Sequence, residues 1–329
     1  MNITVFTESD LRGCVFMDDE SLSEVVKGFS ELAREKAFLP PILRVEIPEN
    51  HGEVDVKTAY IQGQDSFAIK IAAGFFENQL LGLPTGSGMM VLISAQTGRP
   101  IAILLDNGYL TDLRTGIAGA IAAKHLAREK IENVGVIGSG MQARYQVLGL
   151  RLVREFKRLF VYGIESDEVD KYVSEMTAEL GIEIIKANTP EIAVRESEVV
   201  ITSTPSTEPY LESAWLHPGL HITAMGSDAE HKQELFSDVF SHVDLVVCDR
   251  KTQAFRLGEL HHAREEGFLP PEDEIVELGE LTSGMKSGRN NNEQVTVCDL
   301  TGVGVQDTQI ARFAYKRALE NDLGLTIET

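Results

Sequence analysis

Residues 134–143 read VGVIGSGMQA, an apolar strand that runs into Gly138-x-Gly140-x-x-Ala143 and then into a helical pattern. That spacing suits the phosphates of a dinucleotide. Gly138 permits the tight turn, Gly140 lets a pyrophosphate approach the backbone, and Ala143 allows close packing of helix on strand. The helix N-terminus adds N–H groups and the positive end of its dipole. A βα junction that needs small residues and holds nothing has the same look; the position at the head of a run of βα units favours the dinucleotide. The acid expected about 20 residues on, to hold a ribose, would end the next strand. FVYGIESDE has Gly163 there, with Glu165 two residues further. Glu165 would repel a 2′-phosphate and no arginine stands beside it, so the pattern leans to NAD over NADP. The alternative for Glu165 is a solvated loop acid.

Three cations lie in or beside apolar runs: Arg44 in PPILRVEIP, Lys70 in FAIKIAAGFF and Arg114 in YLTDLRTGIAGA. Together such groups can grip a small carboxylate, arginine through its bidentate fork. Spacing alone does not gather them, and each alone is more often a surface ion-pair partner. No metal is expected. His217 and His221 have i, i+4 spacing, but Pro218 and Gly219 between them break any helix. His261 and His262 follow a helical stretch and read as exposed. The acid runs PPEDEIVE and IESDE read as solvated surface, and no G-x-S-x-G elbow marks a hydrolase.

These residues need a scaffold. The chain has 329 residues, which favours two domains. It carries 51 acidic and 30 basic residues, a formal net charge of −21, so bulk charge excludes binding to nucleic acid or an anionic membrane. An anionic substrate must be held by a few local cations. Cys14, Cys248 and Cys298 form no C-x-x-C pair, which fits buried thiols in a reducing compartment. The N-terminus MNITVFTESDLRG has no basic or apolar leader region, and no run of 18 apolar residues exists, so a cytoplasmic location is expected.

The first part of the chain reads as mixed α and β: a helix over 21–36, strands over 42–47, 54–61, 67–71, 89–94 and 101–105, and an alanine-rich helix over 118–127, with Arg114 just before it. From residue 133 strands alternate with helices: strands at 134–137, 159–162, 183–186, 199–202, 222–224 and 245–248, helices to about 154 and over 169–180. This is the pattern of a parallel sheet covered on both faces. A polar-faced helix over 309–320 closes the chain, and 284–293 is the most loop-like stretch.

The sequence resembles the ornithine cyclodeaminase/μ-crystallin family over nearly its whole length. Arg44, the F-A-I-K strand with Lys70, GLPT with Thr85, L-x-x-LRT with Arg114, GSGMQA at 138–143, PGLHITAMGSDAEHKQEL at 218–235 and NNEQVTVCDLTGVGVQD at 291–307 carry the likeness. LPPILRVEIPENHGEVDVKTAYI, GFFEN and LLDNGYLTD look closest to cyclodeaminase-like proteins of ectoine-utilisation gene clusters. The resemblance implies an α/β fold in which a Rossmann-type doubly wound parallel sheet (123–307) is inserted into an α+β substrate-binding and dimerisation domain (1–122 plus 308–329). It implies a homodimer and NAD(P) chemistry at the α-carbon of an amino acid, between amine and imine. Carried over by position, Arg44, Lys70 and Arg114 would hold the substrate carboxylate, and Lys70 would also polarise the imine. Thr85 and Arg114 would approach the nicotinamide or phosphates. Gly138, Gly140, Met141 and Gln142 would border the pyrophosphate, and Thr204, Lys232 and Thr301 the rest of the cofactor. Asp228 would be the general acid/base; read by itself, Gly-Ser-Asp-Ala suits a helix N-cap.

One departure bears on the substrate. Ornithine cyclodeaminase carries a glutamate on the strand before the lysine strand, and here VDVKTAY has Lys57. A cation about 4 Å from ornithine's distal ammonium would repel it by ~1–4 kcal/mol. Lys57 suits a second carboxylate or a neutral polar tail, unless one residue of register turns it to solvent. Imine reduction or amino-acid oxidation therefore ranks ahead of conversion of ornithine to proline, with ectoine or hydroxyectoine breakdown as the specific expectation. The rival of another class is a non-catalytic ligand-binding protein like μ-crystallin.

Overall fold

A computed structural model describes residues 2–328. In chain order the elements are β1 (Asn2–Thr7), α1 (Glu8–Arg12), α2 (Asp19–Ala33), β2 (Ala37–Phe38), β3 (Leu43–Ile47), β4 (Gly52–Ile61), β5 (Ser66–Phe75), β6 (Gly86–Ser94), β7 (Pro100–Leu105) and α3 (Tyr109–Leu126). Then follow β8 (Asn133–Ile137), α4 (Met141–Val153), β9 (Arg158–Tyr162), α5 (Ser166–Leu180), β10 (Glu183–Lys186), α6 (Pro190–Arg195), β11 (Val199–Thr202), β12 (His221–Ala224) and β13 (Leu245–Cys248). The chain continues through α7 (Lys251–Leu257), α8 (Glu259–Glu266), β14 (Val276–Glu277), α9 (Leu278–Thr282), β15 (Thr296–Asp299), α10 (Gly304–Glu320) and β16 (Leu325–Glu328). Contacts divide it into two units, one of residues 2–114 with 303–328, the other Thr115–Gly302. The division falls after Arg114 and after Gly302, where the sequence reading divides after 122 and after 307.

The first unit is built on a mixed sheet in the order β16-β1-β7-β6-β5-β4-β2, with β3 also paired to β4. Strands β4 to β7 form an antiparallel meander. Period-2 alternation sends Asp55, Lys57, Ala59 and Ile61 of β4, and Ser66, Ala68 and Lys70 of β5, to the buried face. Helix α10 lies against these two strands. Its first residue is fixed by that approach: a Cβ on Gly304 would stand 2.3 Å from the Thr58 carbonyl oxygen. Helix α2 packs on α10, with Gly28 against Val305 and Gln309, and buries Leu22, Val25, Phe29 and Leu32; its start is fixed by a capping box between Asp18 and Ser21.

The second unit is an all-parallel sheet in the order β10-β9-β8-β11-β12-β15-β13-β14. One hydrophobic cluster joins it to Ala143, Val147 and Leu150 of α4 and Val169, Tyr172 and Met176 of α5. A second joins it to Ala193 and Val194 of α6, Ala254 of α7 and Leu260 and Ala263 of α8. The sheet is therefore doubly wound, as expected. Between β8 and β11 the chain reverses its direction of travel across the sheet, which is where ligands of such sheets bind, beyond the carboxyl ends of the strands. Among the described residues, no helix is long and apolar enough to cross a membrane.

Several expectations are corrected. Helix α3 begins at Tyr109, so Arg114 lies inside it; Asn107 and Gly108 turn the chain with positive φ, and the Asp106 carboxylate accepts the Leu110 N–H at 2.9 Å. Helix α10 starts at Gly304, and its first half, Gly304–Ala311, is buried rather than polar-faced. His261 and His262 sit within α8, half-buried, and the His262 ring contacts the Lys232 carbonyl at 2.9 Å. Glu277 of the acid run is buried because Arg250 pairs with it at 2.8 Å and the Lys251 N–H donates to it. The segment 284–293 is a loop, pinned by Arg289 to the carbonyls of Leu126, Leu220 and Gln294.

Candidate active site

In the first unit the antiparallel register sets Lys57 of β4 directly opposite Lys70 of β5, both on the buried face. The alternative in which Lys57 points to solvent is thereby removed; its side chain is 6% exposed. The Lys70 ammonium lies 3.0 Å from Asp307 of α10, and the Arg114 guanidinium lies 2.9 Å from the same carboxylate oxygen. Arg114 also donates to the Gln306 amide oxygen at 2.8 Å. On the other side, Lys57 stands 3.8 Å from Asp55, whose two oxygens accept a bidentate pair from Arg44 at 2.7 Å each. The structure thus places two cation pairs side by side, Arg44 and Lys57 bridged by Asp55, and Lys70 and Arg114 bridged by Asp307, with Lys57 and Lys70 adjacent across the strand pair. Arg44 spends its fork on Asp55. Thr85 lies before β6, half-buried, where its carbonyl accepts the Phe75 N–H at 2.8 Å, at the far end of β5 from Lys70.

Burial dominates the electrostatics. It pushes the Lys70 ammonium down to about 7, helped by the Arg114 charge and opposed by Asp307. Burial would raise Asp307, but Arg114 and Lys70 outweigh it and hold the carboxyl below its ordinary value. Burial also pushes Asp106 up to about 6. Four buried atoms here have no protein hydrogen bond: Asp307 Oδ2, Gln306 Nε2, Asp106 Oδ1 and Arg114 Nε, the last held to Asp307 as an ion pair. Unmet polar capacity beside buried cations is what a small polar guest requires.

In the second unit, Gly138 follows β8 with φ of 114°, and its N–H donates to the Tyr162 carbonyl at 2.8 Å. A Cβ there would meet Ser203 at 2.8 Å, so both conformation and space demand glycine. Gly140 is the N-cap of α4 and supplies no side-chain cap, and a Cβ on it would meet nothing within 4 Å. Met141, 56% exposed, and Gln142, half-buried, form the first turn of α4, and Ala143 is fully buried beneath it. The helix start thus opens on free space without a competing side-chain acceptor, as an incoming phosphate needs. Glu165 is exposed at the N-cap of α5.

Three further loops leave the carboxyl ends of β11, β12 and β15, which with β8 are consecutive neighbours in the sheet. After β11, Thr204 donates its N–H at 2.6 Å and its hydroxyl at 2.7 Å to Glu234. After β15, the Thr301 N–H and hydroxyl both donate to the buried Asp249 at 2.9 Å, and Gln253 donates to the Thr301 hydroxyl at 2.8 Å. After β12, Asp228 retains 36% side-chain exposure, and the Lys232 ammonium sits 2.7 Å from it. No helix follows Asp228, so it is not an N-cap. The segment is a tight turn in which the Ser227 hydroxyl donates to the Lys232 carbonyl at 2.6 Å.

Sequence reasoning missed Asp307, Gln306, Asp55, Glu234 and Asp249. Asp307 had one signal: a lone acid in TGVGVQDTQI, where small and apolar residues announce close packing. Among the described residues no cluster of His, Cys, Asp and Glu could hold a metal. His221 is buried between the Thr296 and Thr223 hydroxyls at 2.9 and 3.1 Å, and burial pushes it down to about 3.

A family model described as the ornithine cyclodeaminase/mu-crystallin family matches residues 2–322. An uncharacterized cyclodeaminase of Sinorhizobium fredii is 45% identical over 99% of this chain and 98% of its own. The solved Delta(1)-pyrroline-2-carboxylate reductase of Thermococcus litoralis, in complex with NADH and L-proline, matches with a TM-score of 0.93 at 30% identity, over 99% of this chain and 100% of that one. The iminosuccinate reductase of Paracoccus denitrificans, in complex with NAD+, matches with a TM-score of 0.90 at 27% identity, over 100% of both chains.

Proposed function

Because this chain belongs to the ornithine cyclodeaminase/mu-crystallin family, we propose that it is an NAD(P)-dependent enzyme that interconverts an imine and an amine on a small α-amino-acid-like substrate. The observation that carries this reading is the buried Lys70–Asp307–Arg114 cluster, a carboxylate grip in a chain of net charge −21. Asp307 orients both cations, and the remaining donors of Lys70 and Arg114 bind the substrate carboxylate. The coenzyme fits the Gly138–Gly140 turn: the pyrophosphate takes the α4 N–H groups beside Gly140, Met141 and Gln142, while Thr204, Lys232 and Thr301 border the remainder. Glu165 favours the unphosphorylated ribose, hence NAD over NADP. The nicotinamide, when bound, supplies hydride for reduction and takes it in oxidation. Asp228 gives the proton that the substrate nitrogen gains in reduction and removes it in oxidation, and Lys232 holds that carboxylate in place.

Lys57 narrows the substrate. On the same face as Lys70 and next to it across the strand pair, it repels a distal ammonium and attracts a second carboxylate. A dicarboxylic imine is therefore favoured over ornithine, in keeping with the iminosuccinate-reducing relative. The placement in ectoine or hydroxyectoine breakdown rests on the sequence segments alone.

The test is NADH and NADPH consumption at 340 nm with iminosuccinate and other α-imino acids, with proline and ammonia assayed from L-ornithine plus NAD+. Turnover of a dicarboxylic imine supports the reading; proline from ornithine overturns the Lys57 argument; tight coenzyme binding with no turnover favours a binding protein. Gly140→Ala is the matching variant. It should fold like the parent, since its Cβ meets nothing, yet bind NADH at least tenfold more weakly by fluorescence titration. Unchanged binding would remove the turn from the coenzyme site.

We also assign the chain to a homodimer. The sheet face turned away from α10 carries an apolar row across four strands, Leu43, Val56, Ile71 and Met89. Leu43 is 57% exposed and its neighbour on that face, Val45, 49%. An exposed apolar patch of this kind suits a second copy of the chain. A monomer mass by light scattering at micromolar concentration would contradict the assignment.

A further inference from the structure

We infer that Glu234 is a positioning residue, a buried anion that fastens together the loops after β11 and β12 and so sets where Thr204 and Asp228 stand; the inference rests on the roles proposed for those two residues. Glu234 is fully buried and takes no part in the chemistry proposed above. Its carboxylate accepts five hydrogen bonds. One oxygen accepts from the Thr204 N–H at 2.6 Å, the Thr204 hydroxyl at 2.7 Å and the Tyr210 hydroxyl at 2.7 Å. The other accepts from the Thr202 hydroxyl at 2.7 Å and the Gly226 N–H at 3.0 Å. Thr202 ends β11 and Gly226 lies just beyond β12, so a single side chain ties the exits of two adjacent strands.

The clamp is itself held. The Glu234 and Leu235 N–H groups donate to the buried Glu259 carboxylate at 2.8 and 3.1 Å, and the Glu234 carbonyl accepts from Tyr210 and Leu211. Gly226 is wedged in place: a Cβ there would stand 2.3 Å from the Thr204 carbonyl oxygen and 2.5 Å from Glu234. Two residues further along lies Asp228, whose partner Lys232 precedes Glu234 by two. Both ends of the Asp228 turn are thereby anchored to one carboxylate. A group that must meet a substrate nitrogen within hydrogen-bond reach gains from such rigidity.

Glu234→Gln is the diagnostic variant. Each carboxylate oxygen holds one backbone N–H, so either orientation of the amide sets an NH2 against an N–H donor. Hydrogen–deuterium exchange of the full chain should show at least tenfold faster exchange at residues 204 and 225–228, with β5 and α10 unchanged. In turnover, kcat should fall at least tenfold while KM for the imino acid, set by Lys70 and Arg114, stays within threefold. Glu234→Asp retains the charge but draws the oxygens back, and should rescue kcat in part. If the glutamine variant does not fold, the aspartate variant carries the same two readouts, with a kcat loss of at least threefold. Exchange at 204 and 225–228 like that of the parent overturns the clamp, and kcat within twofold overturns its role in positioning. A parent enzyme that turns over nothing refutes the proposed function, and exchange still decides the clamp.

Discussion

Asp307→Asn is expected to destabilise the chain by about 3–5 kcal/mol, the usual cost of removing one partner from a buried ion pair. Asp307 is fully buried, and Lys70 and Arg114 are 1% and 5% exposed. Asparagine matches aspartate in size, so no cavity forms and the loss is electrostatic. The two cations respond differently. Arg114 cannot shed its proton, whereas Lys70, already near 7, can. Without Asp307 the folded-state value for Lys70 drops further below its unfolded value near 10.4. The folded variant then binds fewer protons than the unfolded chain over a wider range, and its stability rises with pH across that range. Parent and variant both hold Lys70 neutral well above pH 7, so the deficit should widen as pH falls below about 7. Urea denaturation at pH 6 and pH 8 measures it. A loss under about 1 kcal/mol, equal at both values, would show that Asp307 is not the counter-ion that makes this cluster possible.

That cluster also shows what a single sequence displays and what it withholds. The Gly138–Ala143 turn was legible because its constraint is local: a positive φ and a close approach need glycine whatever lies elsewhere. The parallel strands were legible because burial on both faces writes an unbroken apolar run. Lys57 was only half legible. Alternation told that it shares a face with Asp55 and Ala59, but which face is buried depends on the pairing of β4 with β5 and on α10, which arrives some 250 residues later along the chain. Asp307 was hidden for the same reason, since its partners Lys70 and Arg114 are distant in sequence. The start of α3 was missed because its signals are a side-chain cap by Asp106 and a left-handed Asn107–Gly108 turn, which resemble any loop. Asp228 misled in the opposite sense. Gly-Ser-Asp-Ala has the composition of a cap, yet the Ser227 and Lys232 contacts close a turn where a helix would have begun.

The distinction between cap and acid makes the second large effect decidable. Asp228→Asn is expected to lower kcat by about 10²–10⁴-fold, the usual worth of a positioned general acid or base. Asparagine keeps an oxygen that can accept from Lys232 but can neither give nor take the proton that the substrate nitrogen exchanges. The KM for the imino acid should change little, because the groups proposed to hold its carboxylate, Lys70 and Arg114, are untouched. NADH binding should persist, because the Gly138–Gly140 turn is untouched. Asp228 is half-buried and pairs with the buried Lys232, so its neutralisation also costs about 1–3 kcal/mol of stability. A variant that stays folded, binds NADH and is nearly inert in single-turnover mixing identifies Asp228 as the proton-transfer group. A variant with kcat within threefold of the parent removes it from that role, which then falls to Lys70, whose ammonium burial pushes down to about 7.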